Sequence, residues 1–194
     1  MPVSYMEINL NALRHNLRVI RQHLPKEVNV LAVVKANAYG HGAVETLRIA
    51  MEEGYTAAAV ARVEEGAKLR EAGFTCPIYV LGLPLPEDML MGVKYDLTLP
   101  VDDTVDLDAF EDIAKGAGKT VEVMMPIDTG MNRIGTHPED VKPFLKKLAG
   151  YPHLHLHGTW THMATADCKD KSAALKQLDR FDEAIAQMPV TDDF

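Results

Sequence analysis

The chain has 194 residues, 47% of them hydrophobic and 25% charged, with a formal net charge of −8. That length supports one well-packed domain, and the acidic balance argues against a nucleic-acid or anionic-membrane partner, whose phosphates would be repelled. It leaves room for a single phosphate held by a few backbone N–H groups.

Cys76 and Cys168 stand far apart without a CxxC spacing and read as reduced thiols. The opening stretch shows no basic segment followed by an apolar run, so no signal peptide is read there. No apolar stretch approaches the ~18 residues of a membrane span, and a cytoplasmic protein is expected.

Taken in chain order, Leu10, Leu13, Leu17, Ile20 and Leu24 recur at helical spacing behind Asn9, a suitable N-cap. Val28–Val34 is a nearly unbroken β-branched run, predicted as a strand buried on both faces. Ala43–Glu53 follows as a helix stopped by Gly54. The alternation continues with a strand at Ala57–Ala61, a helix at Val63–Ala72 and a strand at Pro77–Leu81. A short helix near Glu87–Met91, a weaker strand at Asp96–Leu99 and a helix within Thr104–Ala117 come next. Val121–Ile127 is a strand, Pro138–Leu148 a helix with Pro at its first position, and His153–Trp160 a strand. Leu175, Leu178, Phe181, Ile185 and Met188 mark a last helical stripe.

Strands that alternate with helices imply βαβ units and a parallel sheet. The absence of GxGxxG after the first strand disfavours a dinucleotide-binding sheet. The expected fold is therefore an α/β barrel of the (β/α)8 (TIM) type, incomplete because about six βα units are visible.

Chemistry in such a barrel sits where strands end and the following loops begin. Lys35 ends the first Val-rich strand and is followed by a loop carrying Tyr39, Gly40 and Gly42. A lysine so placed suits attack on a carbonyl to form a Schiff base; a surface lysine beside a Gly-rich turn fits its position equally well. After the fifth strand comes Asp128-Thr-Gly-Met-Asn-Arg-Ile-Gly135. Arg133 could fork onto a substrate carboxylate, or pair with Asp128 as part of a structural loop. Alternation places His153, His155 and His157 on one face of the sixth strand. That pattern invites a metal site, but the further ligands such a site needs are not visible, and no metal is expected. His162, one step beyond the strand, is the better functional candidate.

Three segments together resemble the alanine racemase family. Ala32-Val-Val-Lys-Ala-Asn-Ala-Tyr-Gly-His-Gly42 is similar to that family's cofactor-lysine signature. Asp128–Gly135 and Thr161-His-Met-Ala-Thr-Ala-Asp167 resemble two further family segments, in the family's order. The resemblance implies a cytoplasmic isomerase using pyridoxal 5'-phosphate (PLP) to interconvert L- and D-alanine for peptidoglycan. Lys35 would hold PLP and serve as one of two acid/base groups. Tyr39 would lie at the cofactor phosphate, Val33 and Leu81 near the pyridine ring. Arg133 would meet the cofactor's phenolic oxygen or the substrate carboxylate, and His162 would support the arginine facing the pyridine nitrogen.

By the same resemblance, residues 1–194 read as a truncated amino-terminal barrel domain lacking the family's carboxyl-terminal β-domain. A strand at Val3–Ile8 would belong with that missing domain. The opposite-face tyrosine would come from the β-domain across a homodimer, so the fragment alone is expected to be inactive. Pro126 stands where many members carry a lysine that orients the arginine. The competing expectations are a non-catalytic PLP-binding barrel of the cofactor-homeostasis type, a metal hydrolase, and a fragment without independent function.

Overall fold

The structure is a computed structural model and describes residues 4–188. The described residues fall into two compact units, divided between Leu81 and Gly82.

The first unit opens with helix α1 (Leu10–Gln22), whose N-cap Asn9 accepts from the Ala12 amide at 3.0 Å. Residues 4–9 form no strand, so the element expected at Val3–Ile8 is not formed there, and Val3 lies outside the described residues. Strands β1 (Leu31–Val33), β2 (Ala57–Val60) and β3 (Ile78–Val80) make a parallel sheet in that order. Between them run the short turn α2 (Lys35–Tyr39) and helices α3 (Ala43–Glu52) and α4 (Val63–Glu71).

Here β1 departs from expectation twice. It is shorter than Val28–Val34, because its partner strand begins only at Ala57, opposite Leu31. It is also covered on one face alone: Ala32 is buried, while Leu31 and Val33 are exposed. Val34, Leu47, Ala58, Ala59, Leu69 and Ile78 are among the buried core of this unit.

Helix α1 contributes no buried residue. It is docked on α3 by ion pairs from Arg14 and Arg18 to Glu53 at 3.0 and 2.7 Å, with Arg14 also on Glu52. The Arg18 and Arg14 guanidiniums hold the Glu53 carboxyl down at about 2.

The second unit comprises α5 (Pro86–Lys94), β4 (Leu99–Pro100), α6 (Leu107–Gly116), β5 (Val121–Ile127), α7 (Val141–Leu148), β6 (Leu154–Thr161) and α8 (Ser172–Ile185). Strands β4, β5 and β6 form a second parallel sheet. Its core includes Met89, Leu99, Phe110, Val123, Met125, Ile127 and Phe144. Pro138–Asp140 forms a 3₁₀ turn rather than the first turn of α7. The β5–β6 register slips between Val123 and Met124, which pair with Leu156 and Gly158 and leave His157 as the extra residue of a bulge.

Of the stripe expected on α8, Leu175, Leu178 and Ile185 are exposed and Phe181 and Met188 are half-buried, while the helix fully buries Gln177 and Ala184 instead. The winning interaction is polar, because the Gln177 amide hydrogen-bonds into the loops after β5 and β6.

Candidate active site: two loops at strand ends

Lys35 lies half-buried just past the carboxyl end of β1. The register aligning Val33 with Ala59 and Tyr79 places Lys35, Ala61 and Leu81 at the next level along the three strands. The first unit thus gathers Val33, Lys35 and Leu81 around one strand-end rim, with the open apolar face of Leu31 and Val33 beside the lysine.

Lys35 leads into a helical turn of the wrong hand. Ala36, Asn37, Ala38 and Tyr39 have φ of 50°, 55°, 53° and 53°, and Gly40 continues at 90°. For residues with a Cβ this conformation costs about 1–2 kcal/mol each. Such strain persists only where the surroundings over-determine it, and it concentrates at functional sites.

The hydrogen bonds that over-determine it are visible. The Val34 amide donates to Ala59 O at 2.9 Å, and the Ala38 amide to Val34 O at 2.8 Å. Asn37 Oδ1 accepts from the Ala43 amide at 2.9 Å and so ties the turn to α3. The Ala36 amide donates to Glu65 Oε1 at 2.6 Å, while Glu65 Oε2 accepts from the amides of Ala61 at 2.7 Å and Arg62 at 3.2 Å. Tyr39, at the end of the turn, projects its ring outward and is 65% exposed.

In the second unit, Asp128 and Arg133 do not pair. Asp128 is buried, and its Oδ1 accepts from the amides of Gly130 at 2.9 Å and Asn132 at 3.0 Å. Its negative charge is engaged by the backbone of its own loop. Arg133 is left exposed, with no hydrogen bond or ion pair to any described residue. The loop then folds back on β5: the Asp128 amide donates to Thr136 O and the Thr136 amide to Pro126 O, both at 2.9 Å. Gly135 makes this closure possible. Its φ is 112°, and a Cβ there would stand 2.8 Å from Pro126 O. Asp102 Oδ2, at the end of β4, accepts from the Gly135 amide at 3.3 Å.

Arg133, Asp102, Asn132, Thr136 and His137 line a cleft of about 410 Å³ within this unit. A smaller hollow brings Arg133 and His162 together around Pro126 and Trp160. His162 is exposed, one residue beyond β6 as expected. Its backbone is held by Gln177, whose Nε2 donates to His162 O and to Thr129 Oγ1, each at 3.0 Å, while its Oε1 accepts from the Ala164 amide at 2.9 Å. One buried amide therefore fixes the loops after both β5 and β6.

His153, just before β6, and His155 and His157, in its first half, lie away from the strand's carboxyl end and meet carboxylates. His153 Nδ1 meets Glu111 at 2.6 Å, and His155 and His157 share Glu122 at 2.9 and 3.4 Å. They serve two different acids, and among the described residues no group of three His, Cys, Asp or Glu side chains could hold a metal.

Glu65 and Gln177 escape a reading of the sequence. Glu65 carries a weak signal, an acid three residues past the N-cap of α4. Gln177 carries none.

A profile of the alanine racemase N-terminal domain matches residues 8–192. The chain belongs to the alanine racemase family. It is 39% identical to the alanine racemase of Methanococcus maripaludis over 178 residues, 91% of this chain and 48% of that protein. The solved alanine racemase of Clostridium difficile 630 superposes with a TM-score of 0.87 at 36% identity, covering 93% of this chain and 47% of that one. A histidine racemase from Leuconostoc mesenteroides subsp. sake gives a TM-score of 0.85 at 31% identity, covering 95% and 50%. The chain spans about half the length of the curated relatives it matches. It has the family's amino-terminal barrel fold, an α/β arrangement of parallel strands with about six βα units.

Proposed function

We propose that this chain is the PLP-binding portion of a cytoplasmic, homodimeric amino-acid racemase that interconverts L- and D-alanine for peptidoglycan synthesis. The observation that carries the reading is Lys35 itself, a primary amine at a strand end, followed by a strained turn held by several independent hydrogen bonds.

The residues suit the cofactor. A half-buried amine beside the uncovered apolar face of Leu31 and Val33 offers a nucleophile and an apolar wall to an aromatic aldehyde. Lys35 Nζ would hold PLP, with Val33 and Leu81 near its ring, Tyr39 at its phosphate, and His162 supporting the arginine at its pyridine nitrogen. When bound, PLP supplies an electron sink that acidifies the substrate Cα–H.

The protein's part is positioning and proton transfer. Lys35 Nζ would take the Cα proton, or return it, on its own face of the substrate. Arg133 has a free planar fork, suited to a pair of oxygens on the substrate carboxylate or the cofactor. Pro126 cannot orient that arginine by hydrogen bonding, so the closed loop from Asp128 to Gly135 would set its direction through the backbone. The second base, implied by the family resemblance in a carboxyl-terminal domain, would act from the opposite face. Activity is therefore proposed for the complete homodimer and not for these 194 residues alone.

The test is alanine turnover in D2O by the complete enzyme with PLP. Deuterium should enter Cα of both enantiomers, and an absence of exchange would contradict racemisation. Bound cofactor without exchange would favour the silent PLP-binding barrel.

A further inference from the structure

We propose that Glu65 is a positioning residue for Lys35: its single carboxylate clamps the amide that follows the lysine to the carboxyl end of β2, and so fixes where the lysine amine stands toward the cofactor. The inference rests on the reading of Lys35 as the cofactor lysine.

A helix-capping role explains only half of what Glu65 does. An acid at the third position of a helix commonly accepts from the N-cap amide, and Glu65 Oε2 does so with Arg62, adding Ala61. One oxygen is enough for that. The other reaches back 29 residues to the Ala36 amide, at 2.6 Å the shorter bond.

The Ala36 amide needs an outside partner. It opens a left-handed turn, and the first amides of any helical turn have no carbonyl behind them within the turn. Without Glu65 a strained segment would begin on an unpaired donor. Lys35 would then be held by the Val34 amide on Ala59 O before it and, after it, only by bonds within the turn and by the Ala43 amide on Asn37. With Glu65 in place, both amides flanking the lysine's own peptide unit are tied to the end of β2. The backbone beneath the side chain is bracketed, and the reach of the amine is set.

Glu65→Gln separates the two roles. A glutamine retains one oxygen, which serves a helix N-terminus as well as a carboxylate does. Two amides, Ala61 and Arg62, compete for the retained oxygen against one, Ala36, so the NH2 group is expected to face the Ala36 N–H, donor against donor, and the bond to Ala36 to be lost. In PLP-loaded protein, Glu65→Gln should leave the melting temperature close to wild type. The cofactor's dissociation constant should rise by about tenfold or more, and the pH midpoint of its visible absorbance should move. Wild-type affinity and midpoint in Glu65→Gln would overturn the proposal and leave Glu65 a helix cap.

Should Glu65→Gln not fold, Glu65→Asp gives the same decision. Its shorter arm can cap α4 but cannot span to Ala36, so the same cofactor defects are expected, and wild-type binding would overturn the proposal. Hydrogen exchange at the Ala36 amide in cofactor-free protein reads the clamp directly. Faster exchange in the variant is expected, and unchanged exchange overturns the clamp whichever lysine carries PLP. Mapping the borohydride-reduced cofactor label in the wild type separately decides the Lys35 reading.

Discussion

Residues 36–42 after β1 and residues 128–135 after β5 each adjoin or carry a cation at the end of a strand, yet they are held in different ways. The second loop is tied mainly to itself. Asp128 caps amides two and four residues on, and Gly135 lets the chain close back onto Pro126. The first loop stores strain, and its opening amide depends on Glu65, 29 residues away. Asp102 and Gln177 brace the second loop from elsewhere in its unit, at Gly135 and Thr129. The first loop instead combines four left-handed non-glycine residues with a distant restraint on the amide after its lysine.

The largest effect should come at the cation of the strained loop. Lys35→Ala in the complete enzyme should lower racemisation by about 10²–10⁴-fold or more, since it removes both cofactor holder and base. Its melting temperature should change little, because the side chain makes no hydrogen bond to any described residue. Retention of a tenth of wild-type activity would sink the assignment.

Gly135→Ala breaks the self-tied loop at its hinge. A Cβ at φ 112° and 2.8 Å from a carbonyl oxygen should cost about 2 kcal/mol, measured by denaturant unfolding. A neutral result would mean that the loop does not need its closure.

Arg133→Lys should then lower kcat/KM by about tenfold, ~1.4 kcal/mol of transition-state stabilisation, with stability unchanged. The exposed and unpaired guanidinium supports this split. A stability loss without a kinetic one would make Arg133 a structural residue instead.

Strain in the first loop makes a prediction of opposite sign. Ala36→Gly, at φ 50°, relieves left-handed crowding and should be neutral or stabilising by up to about 1 kcal/mol. Clear destabilisation would show that the turn is not strained.

The smallest effect lies away from both loops and serves as a control. The Glu53 carboxyl is lowered from 4.5 to about 2 by Arg18 and Arg14. Its contribution is full above the unfolded value and is lost as pH falls from about 4.5 toward 2. Amide exchange in α1 should therefore loosen first over that range. Glu53→Gln should abolish the pH dependence while leaving both loops untouched.

The same contrast explains how much a sequence can reveal. β5 is legible residue for residue, because Val121, Val123 and Ile127 are β-branched and the strand is broken by a single exposed acid, Glu122. The loop after it is legible in kind, since Asp and Gly at turn positions act on their own neighbours. The ion pair its sequence suggests does not form, because Asp128 is consumed by backbone amides, which side-chain chemistry alone does not count. Of residues 36–39, only Asn37 readily takes left-handed angles; Ala and Tyr give no such signal. The clamp from Glu65 and the buried bonds of Gln177 are long-range facts, written in no local pattern. The mostly exposed stripe of α8 shows the same thing, as helical periodicity names a face without saying what will cover it.

The central claim is that Lys35 carries the cofactor, and one measurement addresses it directly. PLP-loaded protein is reduced with borohydride, digested, and searched for the stable pyridoxyl adduct by mass spectrometry. The adduct should lie on the peptide containing Lys35 and be absent from Lys35→Ala; a label at any other lysine, or none in the wild type, would contradict the account.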